Sequence, residues 1–181
     1  MYKRQLRALR ALAFLHDKGI LHGDIKPENV LVGNRDGVPR LTFLDFGLVR
    51  RAGGPTESVS GTIRFLAPEI LRGEAYTPAT DVYALGMTLV ESITGTDAPI
   101  ATEVGEEWFV SAETATKRAL SARRTPRHAA LARFILRLCD PDPATRTSDC
   151  AELADRLALL TGAADPIANP VTEGLFVDRE E

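Results

Sequence analysis

The sequence predicts a mainly α-helical domain carrying one small β-hairpin. Apolar residues recur at helical spacing in several separate segments, and only two adjacent runs are rich in β-formers. Those two runs flank Asp36-Gly37, a strong turn former. With 181 residues, 44% of them hydrophobic, the chain is long enough to bury a single core.

The segment from about Lys3 to Asp17 predicts the first helix, because Leu6, Leu9, Leu12, Ala13 and Leu15 recur on one face and Gly19 is placed to end it. Its basic character would suit a targeting peptide. No continuous apolar run or small-residue cleavage site follows, so an amphipathic helix with a basic solvent face is favoured. "ILHG" reads as a short strand. "NVLVG" and "RLTFLDF", joined by "NRDGVP", read as a hairpin. Residues 47–62 have no hydrophobic period and read as a long loop. "FLAPEIL" restores order, and "YTPATDVYALGMTLVESITG" reads as a helix with Thr77 as N-cap and Pro78 in the first turn. Its apolar residues lie on most sides, which places it inside the domain. "TDAPIATEVGEEWFV" reads as irregular. "RHAALARFILRLCD" is an amphipathic helix ended by "PDP". "TSDCAELADRLALLTG" is the last helix, with Thr147 or Ser148 as cap and Gly162 as stop. One domain is expected over residues 1–162. Residues 163–181, punctuated by Pro and Gly and acidic at their end, form a loose tail.

Composition narrows the function. A net charge of -3 offers no nucleic-acid or anionic-membrane surface. Cys139 and Cys150 show neither metal-ligand spacing nor a disulfide framework, which fits a reducing cytoplasm. No apolar run reaches the ~20 residues that span a bilayer.

The chemistry concentrates in residues 21–47, "LHGDIKPENVLVGNRDGVPRLTFLDFG". Asp24 and Asn29 fall on a loop between short strands. Asp45 ends the next strand, where Gly47 allows a sharp turn. A hairpin would bring Asn29 and Asp45 to one end, as hard oxygen ligands for Mg²⁺ completed by phosphate and water. Lys26 could hold a phosphate, and Asp24 could take a proton from a hydroxyl nucleophile. Read singly, each residue has a plainer explanation. Asp45 would be a strand-end turn former, His22 a packed histidine, and Arg146 a helix cap or surface charge.

Together these motifs resemble the eukaryotic-type serine/threonine protein kinase family, across residues 6 to about 160. "HGDIKPEN" is similar to its catalytic loop, "DFG" (Asp45, Phe46, Gly47) to its Mg²⁺-binding motif, and "GTIRFLAPE" to the end of its activation segment. "DVYALG" resembles its central helix, and "DPDPATR" ends at the family's partner for the Glu of "APE". The resemblance implies Asp24 as catalytic base, Lys26 on the transferred phosphate, and Asn29 and Asp45 on Mg²⁺. It implies ATP as phosphoryl donor and protein Ser/Thr hydroxyls as acceptors. It also implies support from His22, Phe46, Gly47 and Asp81, a bond from Thr62 to the catalytic Asp, and a Glu69–Arg146 pair. Lys26 and Thr62 point to the serine/threonine class.

Two departures stand out. Gly23 occupies the place of an Arg that normally pairs with a phosphorylated activation loop, so modification of Thr56, Ser58 or Ser60 is expected to order little. Nothing in the 181 residues resembles the family's Gly-rich loop, "VAIK" lysine or helix C. The expected architecture is therefore a truncated α+β kinase fold, the C-lobe alone. Such a half-cleft leaves ATP exposed to water and weakens each electrostatic contact. It also exposes a face that another segment or protein would cover. Three readings follow: a piece of a kinase, a non-catalytic C-lobe that binds a partner, or an unrelated helical domain.

Overall fold

The computed structural model describes residues 2–35, 38–45, 48, 50–51, 62–97, 99, 106–124, 127–162 and 176–177. It is mostly helical, with a small antiparallel hairpin. Helix α1 (Tyr2–Asp17) buries Leu6, Leu9 and Leu12 completely. Each such burial stabilises by about 1.5–3 kcal/mol. Gly19 ends the helix at φ 68°, its N–H donating to the His16 carbonyl at 2.9 Å. The expected basic solvent face holds for Arg4, which is exposed, and not for Arg7, which is 1% exposed.

Strand β1 (Ile20–Leu21) leads into the polar loop, and strands β2 (Val30–Arg35) and β3 (Val38–Leu44) form the hairpin. Val30 pairs with Phe43 and Arg35 with Val38, so Asn29 and Asp45 flank the same end of the ladder. The turn residues 36 and 37 lie outside the described residues. Leu41 and Phe43 face the core, while Leu31 and Val32 are exposed.

Helix α2 (Pro68–Leu71) precedes the long helix α3 (Pro78–Thr94). Every residue of α3 from Ala79 to Val90 is buried, in keeping with apolar residues on most of its sides, and Thr80, Asp81 and Thr88 are buried with them. The Thr80 hydroxyl accepts the Thr77 N–H at 3.1 Å and secures the start. Gly86 sits where α3 meets α5 (His128–Leu138). A Cβ there would lie 2.7 Å from Cys139 Sγ and 2.8 Å from Leu138 Cβ. Helix α6 (Cys150–Thr161) packs on α1, so the first and last helices close the domain. Burial pushes both free thiols, Cys139 and Cys150, well above the ordinary thiol range.

Three local readings are corrected, and one short element is added. Residues read as irregular include the start of α4 (Glu106–Ala122). Its buried stripe is Ala112, Thr116 and Leu120, too small and polar to announce a helix by hydrophobic period. The cap of α6 is Asp149, whose Oδ1 accepts the N–H groups of Ala151 and Glu152 at 2.9 and 3.0 Å, rather than Thr147 or Ser148. The long loop contains a two-residue strand, β4 (Arg50–Arg51), antiparallel to β1. Phe176–Val177 in the expected tail form β5, parallel to β3 at Phe43 and Leu44.

Candidate active site

The loop after β1 turns because Gly23 takes φ 79°. A Cβ at this position would meet the Leu48 carbonyl oxygen at 2.7 Å, so backbone conformation and space both select glycine. The next residue, Asp24, is 9% exposed. A 3₁₀ turn at Pro27–Asn29 then swings the chain back, its Asn29 N–H donating to the Lys26 carbonyl at 3.0 Å. Asn29 is thereby returned to Asp24.

The result is a cluster of four residues drawn from two segments. Asp24 Oδ2 accepts from Lys26 Nζ at 2.6 Å and from Asn29 Nδ2 at 2.9 Å. Asp24 Oδ1 accepts the Thr62 backbone N–H at 3.2 Å. Asn29 Nδ2 also donates to the Asp24 carbonyl at 2.9 Å. Lys26 Nζ reaches the Thr62 hydroxyl at 2.9 Å. The bond from Thr62 to Asp24 therefore comes from the main chain, and the Thr62 side chain meets Lys26. Such charge-assisted bonds fix the carboxylate more firmly than neutral ones would.

Asp81 holds this loop from below. Its Oδ2 accepts the His22 N–H and its Oδ1 the Gly23 N–H, each at 2.9 Å. His16 Nε2 lies 2.9 Å from the same Oδ2, and Cys150 Sγ is 3.7 Å from His16 Nδ1. One carboxylate from α3 therefore fixes two successive backbone amides, and α1 and α6 brace it. Sequence reasoning missed His16 and Cys150. His16 was accessible to it, since it follows Leu12 by four residues on the buried stripe of α1.

His22 is fully buried beside Phe43, with ring centroids 5.3 Å apart. Burial pushes its pKa down, against the upward pull of Asp81, Asp24, the Leu44 backbone and Asp45. It is a neutral packing element at neutral pH. Asp45 follows β3 at φ 63°, half-buried. Phe46 and Gly47 lie outside the described residues, as do Gly61 and the loop positions Thr56, Ser58 and Ser60.

Glu69 and Arg146 meet in the interior, with side chains 2% and 0% exposed. Arg146 Nη1 and Nη2 contact Glu69 Oε1 and Oε2 at 2.7 and 3.2 Å, a two-pronged ion pair. Arg146 also donates to the carbonyls of Ala79 and Asp140 at 2.9 and 2.8 Å and lies over the Tyr83 ring. The segment containing Thr62 is thus tied to α3 and to the turn before α6.

Among the described residues, no three His, Cys, Asp or Glu side chains gather into a metal cage. Mg²⁺ does not need one when phosphate oxygens and water complete its shell. Asn29 directs its amide nitrogen to Asp24, and its Oδ1 is the oxygen that could face a metal. No helix among the described residues is long and apolar enough to cross a membrane.

The protein kinase domain family model matches residues 3–157. Mitogen-activated protein kinase kinase kinase 6 of Homo sapiens is 34% identical over 161 residues, covering 85% of this chain and 12% of that protein. A probable serine/threonine-protein kinase of Dictyostelium discoideum is 34% identical over 139 residues, covering 75% of this chain and 25% of that protein. The chain thus spans a quarter or less of these relatives. The solved structure of a Cydia pomonella granulovirus kinase superposes with a TM-score of 0.59 at 24% identity, over 84% of this chain and 56% of that one. At that identity the likeness is one of fold.

Proposed function

The chain belongs to the protein kinase family, and from that membership we propose that residues 1–162 are the C-lobe of a serine/threonine kinase domain, followed by a tail. Its reaction is transfer of the γ-phosphoryl of Mg-ATP to Ser or Thr hydroxyls of a protein substrate. The observation that carries this reading is the Asp24 cluster, in which one buried carboxylate is aimed by Lys26, Asn29 and Thr62. Asp24 accepts the proton of the attacking hydroxyl. Lys26, already bridging Asp24 and Thr62, turns its ammonium toward the transferred phosphoryl as charge develops there. Asn29 and Asp45 are the residues that would hold Mg²⁺, which supplies neutralisation of phosphate charge when bound. Asp81 and His16 keep the loop backbone in place, while Glu69 and Arg146 anchor the segment that brings Thr62.

Phosphoryl transfer depends on positioning and charge stabilisation within a water-poor cleft. The 181 residues supply the base, the metal ligands and the bed for a peptide. None of them resembles the family's groups that cover the nucleotide. Residues 1–181 alone are therefore expected to bind Mg-ATP poorly and turn over barely. The test is phosphorylation of casein by the chain joined to the nucleotide-covering lobe of a related kinase. Asp24→Asn should abolish transfer and leave the far-UV circular dichroism unchanged; a retained rate removes Asp24 from its role. Exposed Leu31 and Val32 support a second proposal, a non-catalytic module whose partner covers β2. Failure of the joined protein to transfer phosphate at all would favour it.

A further inference from the structure

The 26 residues between Glu113 and Asp140 hold seven Lys or Arg and no acid, in a chain of net charge -3. Positive charge is therefore concentrated on α4, α5 and their connection. Some of these cations serve the fold. Lys117 pairs with Glu113, while Arg123 and Arg127 donate to the carbonyls of Ile93 and Leu159. Arg133 and Arg137, one turn apart on exposed positions of α5, have no ion-pair or hydrogen-bond partner among the described residues. Arg156 on α6 has only Glu152, at 3.6 Å. These three guanidinium groups rim one depression between α5 and α6, of about 170 Å³, whose floor includes Phe134, Leu138 and Leu153. Those floor residues belong to the core, so the depression is backed by packed side chains. Of the neighbouring carboxylates, Glu113 pairs with Lys117, Asp140 accepts the Asp142 N–H, and Glu152 lies 3.6 Å from Arg156 at the rim.

We propose that this depression is a docking site for an acidic peptide segment of a partner protein that carries one large apolar anchor residue. A cavity of roughly 150 Å³ admits a benzene ring, so the space here suits one Phe or Leu side chain. Guanidinium groups suit carboxylates because their planar forks donate two bonds at once. Each exposed ion pair alone contributes little, but beside an anchored apolar group they act together and set the choice of partner. Nucleic acid is the poorer fit. No aromatic ring among the described residues lining the depression stands open at the rim for base stacking. None of these residues belongs to the catalytic loop, so the proposal stands apart from phosphoryl transfer.

The test is fluorescence anisotropy of the 181-residue chain with a fluorescein-labelled Asp-Glu-Asp-Phe-Glu-Asp-Glu peptide. Binding is expected to weaken about tenfold or more in the R133E/R137E variant and to fall with added salt. It should also weaken several-fold when the peptide Phe becomes Ser. Circular dichroism checks the fold, and R133Q/R137Q, expected to lose affinity in the same sense, replaces the reversal if that variant unfolds. The proposal is overturned by absent binding, by affinity indifferent to the arginine changes, or by equal binding of the Ser peptide, which would mean ion exchange alone. Equal or tighter binding of an oligothymidylate overturns it in favour of nucleic acid.

Discussion

Replacing Arg146 with Met tests the buried pair that secures the Thr62 segment. The substitution keeps much of the side-chain length and removes the cation. Glu69 is then left 2% exposed without its partner, and the carbonyls of Ala79 and Asp140 each lose a donor. Removing one member of a buried ion pair costs about 3–5 kcal/mol, because the remaining charge stays desolvated. Total stability of a domain is of order 5–15 kcal/mol, so the variant should stand near the edge of folding. For a chain of this length each kcal/mol shifts Tm by roughly 2–4 °C, which gives a fall of roughly 6–20 °C. Urea unfolding followed by circular dichroism measures the loss directly, with the m-value expected to stay constant. Changing Glu69 to Gln in the same molecule should recover a large part of it, since no uncompensated charge remains. A single-variant loss below about 1 kcal/mol, or losses that simply add in the double variant, would refute the reasoning.

Gly86→Ala should destabilise by about 1–3 kcal/mol despite the better helix propensity of Ala, since the new methyl meets Cys139 and Leu138 below contact distance; thermal unfolding reads it. Gly23→Ala forces a side chain into φ 79° against the Leu48 carbonyl, and a loss of about 1–3 kcal/mol is expected by the same measurement. His22 has a folded pKa below its ordinary 6.5, so the unfolded chain binds the extra proton first. Its contribution therefore makes stability fall as pH drops through about 6.5 toward the folded value, and His22→Asn should flatten that part of the stability–pH curve. An unchanged slope would remove His22 as the source.

The hairpin, α3 and the order of the motifs were legible because they depend on local chemistry. Val30 to Arg35 and Val38 to Leu44 are rich in β-formers and flank a turn former, and "PATDVYALGMTLV" is apolar on most sides. The α4 helix was not legible, because its buried stripe of Ala112, Thr116 and Leu120 carries little hydrophobic contrast. Arg7 was misplaced for a related reason. Periodicity assigns charge to solvent, and only packing shows where the core accepts a guanidinium.

What the sequence alone determined is the inventory: a carboxylate, an ammonium and an amide within six residues, a second carboxylate at a strand end, and family membership through their order. Tertiary structure decided the wiring. Thr62 meets Asp24 from 38 residues away through its main chain, Asp81 grips two amides from 58 and 59 residues away, and Cys150 braces His16 across the domain. These bonds join groups distant along the chain, and only burial of the helices that carry them brings their atoms within reach. Local propensity and spacing hold no record of such distances.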